Sequence, residues 1–149
     1  MVSEYEKRVA NVMKWLPGLL EEKYDERRMG HLLEKHLNIK DEHLINRMMR
    51  ERKYCATSFY GEKSVVIAAL QKVLIDNAEE IAMYLADRDD NEIWIIEDEM
   101  PAEISGSGFY ATKDHNWDDG AVECDMVRIA IKKSDNGNEP IILSIYPIC

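Results

Sequence analysis

The chain has 149 residues, 46% of them apolar and 32% charged, and carries a formal net charge of −10. That is the size of one domain with a core of its own, too apolar for a disordered chain. No run of about 18 apolar residues is present, and the charges scattered through MVSEYEKRVANVMKWL are not those of a signal peptide, so neither a membrane span nor a leader is expected.

Ser3 and Glu6 form an S-x-x-E box that opens a helix with Val9, Val12, Met13 and Leu16 on one face; Pro17-Gly18 is predicted to end it. Leu19 to about His36 reads as further helical turns, interrupted near Gly30. Asp41 is the predicted N-cap of a helix running to about Glu51, with Leu44, Ile45, Met48 and Met49 as its apolar stripe. KYCATSFY, short and rich in hydroxyls, reads as a loop with an extended end. Glu62 to Asp76 has helical spacing, and Asn77 is predicted to cap a further helix through Leu85, before a turn over 87–91.

After residue 91 the period changes to that of strands: Glu92–Glu97, Ile104–Thr112, Met126–Lys133 and Ile141–Tyr146. MVRIAIKK and IILSIYP, joined through Asn136-Gly137, form the clearest hairpin. Helices first and antiparallel strands afterwards make an α+β domain. Cys55, Cys124 and Cys149 are odd in number, far apart and without a CxxC pair. They are expected to be free thiols of a reducing compartment, with no disulfide and no zinc site among them.

The charge is unevenly spread. Residues 76–125 hold 16 acidic side chains against Arg88 and Lys113, whereas residues 1–60 hold 12 basic and 10 acidic ones. A surface built from the first third and the closing strands is therefore compatible with a polyanion, despite the net charge.

The familiar metal and phosphate motifs are absent. His31 and His36 are five apart, there is no HExxH, Gly106-Ser107-Gly108 lacks the lysine and helix of a phosphate loop, and no GxSxG elbow occurs. No metal and no cofactor is expected. What remains is His36 before the third helix, Arg47 within it, and Ser144 and Tyr146 on one face of the last strand, with Leu143 and Ile145 turned the other way. Each also has a plain reading as a helix-end histidine, a surface charge or a polar outer face.

Residues 29–60, MGHLLEKHLNIKDEHLINRMMRERKYCATSFY, resemble the opening signature of the bacterial ribonuclease-A-like toxin domain, found at the C-termini of contact-dependent growth inhibition proteins and other polymorphic toxins. The family pattern, roughly G-H-t-x-x-x-H-v-g-k-x-x-x-x-L-x-x-R, is matched by Gly30-His31, His36, Lys40 (displaced by one), Leu44 and Arg47, then Thr57-Ser58-Phe59. The closing I-L-T-x-Y-P is matched by Ile142-Leu143-Ser144-Ile145-Tyr146-Pro147. Two departures are Ser144 for the family's threonine and Asn38 for its glycine; an acidic insertion around 113–125 is a third.

The resemblance implies a fold of pancreatic-ribonuclease type without its disulfides: N-terminal helices on an antiparallel, kidney-shaped sheet. It also implies metal-independent endoribonuclease activity on RNA, tRNA above all, in the cytoplasm of a target cell reached as part of a larger secreted protein. A cognate immunity protein would be the partner. The catalytic residues carried over are His36, Arg47, Ser144 and Tyr146; Lys40 and Ser58 are candidate substrate contacts, and His31 is a candidate for a substrate contact or a structural hydrogen bond.

The chemistry suits that set. RNA supplies its own nucleophile, the 2′-OH, so the protein must only take that proton, protonate the leaving 5′-oxygen and meet the charge gathering on phosphorus. Histidine titrates near neutrality, arginine offers a permanently charged fork, and the two hydroxyls donate hydrogen bonds. Residues 1–28 are read as a helical N-terminal extension and 29–149 as the ribonuclease-like domain. The alternative from another class is a non-catalytic module on the same scaffold, binding a basic protein through the acidic 76–125 surface.

Overall fold

The computed structural model describes residues 2–149 except Tyr24, 112–116 and 136–138. The Asn136-Gly137 connection and His115 therefore lie outside the described residues. Among the described residues, five α-helices, α1 (Glu4–Lys23), α2 (Glu26–Leu33), α3 (Asp41–Glu51), α4 (Lys63–Asp76) and α5 (Ala78–Ala86), are interleaved with or followed by six strands: β1 (Cys55–Tyr60), β2 (Trp94–Glu99), β3 (Ser105–Tyr110), β4 (Val122–Cys124), β5 (Met126–Lys133) and β6 (Pro140–Ile148). The α+β class agrees with the sequence reading, and the strands form two antiparallel sheets, ordered β1-β3-β4 and β2-β5-β6.

α1 does not stop at Pro17-Gly18. It runs through the proline to Lys23, packing along α4 and α5. A proline inside a helix costs about 3 kcal/mol. Leu16 and Leu20, fully buried one turn apart, each return roughly 1.5–3 kcal/mol, so burial carries the helix through. The same core takes Met29 and Leu33 from α2, Phe59 from β1, Leu70 and Leu74 from α4, Ile81 from α5, and Ile129 and Ile145 from the second sheet.

Two glycines of β3 set how closely it approaches its neighbours. A Cβ on Gly108 would lie 2.5 Å from the Ala56 carbonyl oxygen and 2.6 Å from Thr57 Cγ2; one on Gly106 would lie 2.9 Å from Pro147 Cβ. Bare Gly108 lets β1 sit close within its own sheet and bare Gly106 admits Pro147 of β6; between β1 and β6 the buried Thr57 hydroxyl donates to the Pro147 carbonyl at 2.8 Å. Gly106-Ser107-Gly108 is thus a packing device.

The expectation of no disulfides is overturned: Cys124 and Cys149 are joined, and Cys55 alone is a free thiol. The cause is register. β5 and β6 pair with Met126 opposite Ile148, so Cys149 falls beside the residues just before β5, where β4 ends at Cys124. Sequence spacing does not display that pairing. The bond ties the β4 sheet to the end of β6.

A second irregularity lies in β6. Ala130 pairs with Ser144 but Ile131 pairs with Ile142, leaving Leu143 as a bulge. The bulge shifts the inward phase from Pro140 and Ile142 to Ile145 and Pro147. Leu143, expected to face the core with Ile145, is 40% exposed while Ile145 is buried.

Candidate active site

The site begins where α2 ends. The His36 amide donates to the Leu33 carbonyl (2.7 Å), the His36 carbonyl accepts from the Phe59 amide (2.6 Å), and the Asn38 amide donates to the Phe59 carbonyl (2.7 Å). Leu37 bridges Phe59 in parallel fashion, so residues 36–38 are strapped along β1. The strap turns at Asn38, whose φ of +52° is in the left-handed region. Glycine and asparagine are among the few residues that accept it, which gives the departure from the family's glycine a physical footing. Its carboxamide also pairs with Gly61, donating to the carbonyl (2.8 Å) and accepting from the amide (3.0 Å).

His36 Nδ1 lies 3.2 Å from the Thr57 carbonyl oxygen. A carbonyl only accepts, so the neutral ring keeps its proton on Nδ1 and its lone pair on Nε2. Thr57 therefore holds both halves of the site, the imidazole through its carbonyl and β6 through its hydroxyl. Burial pushes the His36 pKa below the ordinary 6.5; the Thr57 bond opposes this, and the positive charges of Arg47, Lys53 and Lys35 lower it further. Burial and these charges thus favour the neutral imidazole.

Because the folded state disfavours the protonated ring, His36 contributes stability that is fully present above pH 6.5 and is lost as pH falls through the lower folded pKa. Urea unfolding at a series of pH values should show this loss in the wild type, and His36→Gln should remove that part of the pH dependence. An unchanged profile in the variant would contradict the assignment.

Tyr146 comes from the second sheet, its ring centroid 5.6 Å from that of His36 with the planes at 34°. Its hydroxyl oxygen accepts from Arg128 Nη1 (3.2 Å), and Arg128 is held by Glu97 Oε1 through Nε (3.0 Å) and Nη2 (2.9 Å). Arg47, on α3, donates from Nη1 to the Lys35 carbonyl at 2.7 Å, which fastens it to the residue before His36.

Of the residues singled out in the sequence, His36 and Tyr146 are thus in ring contact, and Arg47 is tied to the strap beside them. Ser144 lies two residues from Tyr146 on the same face, partly exposed. Lys40 is exposed at the N-terminus of α3. His31 lines a separate cleft with Lys63, Glu34 and Ile141. Ser58 is fully buried: its hydroxyl accepts from the Ile39 amide (3.0 Å) and donates to the Phe59 carbonyl (3.0 Å), which makes it a brace for the strap.

Thr57 and Arg128 also belong to the site, and neither stands out in the sequence. Thr57 stands in the T-S-F run next to the chosen serine. Arg128 alternates with the buried Val127 and Ile129 and so belongs to the outer face. Counting pairs back from Ile131–Ile142 without the bulge would set it opposite Ile145, on the wrong side, instead of opposite Tyr146. The Cys55 thiol is pushed up by burial, with Lys53 opposing, which disfavours the thiolate.

Among the described residues no group of three or more histidine, cysteine or acidic side chains is placed to hold a metal ion. No described helix is long and apolar enough to cross a membrane.

The family model described as the bacterial CdiA-CT RNAse A domain matches residues 30–147. A solved structure, the crystal structure of a CdiA-CT/CdiI complex from Y. kristensenii 33638, is similar with a TM-score of 0.64 and 21% identity, over 80% of this chain and all of that one. No curated protein matches.

Proposed function

The chain belongs to the bacterial CdiA-CT RNase A domain family, and from that premise we propose that it is a toxic endoribonuclease that cuts tRNA without a metal. The observation that carries this reading is the contact of His36 with Tyr146 across the junction of the two sheets, with Nδ1 occupied by the Thr57 carbonyl. In the proposed reaction Nε2 of the neutral imidazole takes the proton of the 2′-OH. The 2′-oxygen then attacks the adjacent phosphorus, and the bond to the 5′-oxygen breaks. Tyr146, whose oxygen accepts from Arg128, gives its own proton to that leaving oxygen and regains one from the imidazolium or solvent.

Arg47 meets the charge on the non-bridging oxygens, and Ser144 donates a hydrogen bond to the same phosphate. Lys40 and His31 hold flanking phosphates. The products are a 2′,3′-cyclic phosphate and a 5′-hydroxyl. By analogy with the CdiA-CT/CdiI complex, the chain acts inside a target cell after delivery by a larger secreted protein, and a cognate immunity protein neutralises it.

The test is digestion of total tRNA in EDTA. Fragments ending in 2′,3′-cyclic phosphate are expected at an undiminished rate. Cleavage that stops when divalent ions are removed, or fragments ending in 5′-phosphate, would contradict the mechanism.

A further inference from the structure

We propose that the solvent face of the β2-β5-β6 sheet beside Tyr146 is a platform for a nucleobase next to the scissile phosphate. The proposal rests on the ribonuclease reading and adds to it the part of the protein that grips the base.

Residues directly opposite in an antiparallel pair share a face. The outer face therefore carries the row Glu97–Arg128–Tyr146, then Ile95–Ala130–Ser144, then Lys132–Ile141, with the bulged Leu143 between the last two. Behind them Ile96, Ile129 and Ile145 are buried in the core. An open sheet face is ordinarily polar. Here Ile95, Ile141 and Leu143 are 42%, 39% and 40% exposed, and core packing explains none of the three. Leu143 is outward only because the pairing skips it.

Size and position identify the occupant. Strands lie about 4.8 Å apart and alternate residues about 6.7 Å apart, so the patch is roughly 10 Å across, the size of a base with its sugar. A stable protein partner needs about 800 Å² on each side, far more than three half-exposed aliphatic chains supply. The patch starts one row from the Tyr146 phenol. An RNA with its phosphate at His36 and Tyr146 would bring an adjoining base over the flat floor of Ala130, against Ile95 and Leu143. The exposed Lys132 in the next row suits a further phosphate, and the Ser144 hydroxyl stands at the boundary.

The test uses a DNA oligonucleotide with a single ribonucleotide, hence one cleavable linkage, and two versions lacking the base on one or the other side of it. The wild-type protein should lose at least tenfold in kcat/KM when one of those bases is removed. The double variant Ile95→Ala/Leu143→Ala should lose about tenfold on the intact oligonucleotide, mostly through KM, and nothing on the abasic one. Both positions are exposed, so its circular dichroism should match the wild type. Equal cleavage of intact and abasic substrates by the wild type, or an equal loss on both in the variant, would overturn the platform while leaving ribonuclease activity standing. The same holds if the variant keeps its base dependence and loses only affinity for a protein partner. A wild-type protein that cuts total tRNA but not this oligonucleotide would overturn the platform alone, and one that cuts neither would overturn both readings.

Discussion

His36→Ala should lower the rate of RNA cleavage by about 10²–10⁴-fold, the range that one positioned proton-transfer group supplies. The fold should survive, because what straps this segment to β1 is main chain: the His36 amide bonds Leu33, its carbonyl accepts from Phe59, and Leu37 and Asn38 continue the pairing. Far-ultraviolet circular dichroism should be unchanged. The wild-type rate should fall on acidification only below the ordinary histidine range, because burial and the surrounding cations keep the ring neutral. His36→Ala should lose that acid limb along with the rate. Retention of both would remove His36 from the reaction.

Arg47→Ala should cost about 10²–10³-fold, as loss of one charged donor to a transition state does. Two effects combine. The cation proposed to face the phosphate disappears, and so does the 2.7 Å bond that ties α3 to the Lys35 carbonyl. Arg47→Lys keeps the charge but not the fork that can hold the carbonyl and reach the phosphate together, so most of the loss should remain. A second readout separates this role from a structural one. Arg47 is among the charges that lower the His36 pKa, so Arg47→Ala should move the acid limb of residual activity to higher pH, and Arg47→Lys should move it little. A rate loss with the acid limb unmoved in both variants would leave Arg47 a tether alone.

Where apolar periodicity decides structure, the sequence is readable. α3, α4 and α5 follow their stripes, and β5 follows its alternation, as β6 does on either side of the bulged Leu143. What it conceals depends on tertiary contact. Leu16 and Leu20 carry α1 through Pro17 because they are buried against other helices, a fact outside the local window. The three-residue β4 is too short to show a period, and the Cys124–Cys149 pairing follows from the register of two hairpin strands. The candidate site divides in the same way. The sequence marks His36, Arg47, Ser144 and Tyr146 as chemistry-bearing side chains, but the contact between His36 and Tyr146 is made by tertiary packing, in which Thr57 links β1 to β6 and Gly106 leaves room for Pro147. Ser58 and Thr57 are neighbours of opposite orientation, and only the strand's phase tells the brace from the link. Arg128 is hidden by a single bulged residue.

In the proposed mechanism His36 and Tyr146 serve one transition state. This is tested most directly by single-turnover cleavage of the one-ribonucleotide oligonucleotide, in EDTA, with the wild type, His36→Ala, Tyr146→Phe and the double variant. Groups that act on the same proton transfers are strongly non-additive, so the double variant should be about as slow as the slower single one. A double variant slowed by the full product of the two single losses would mean that the two rings work independently, and the shared site would not exist.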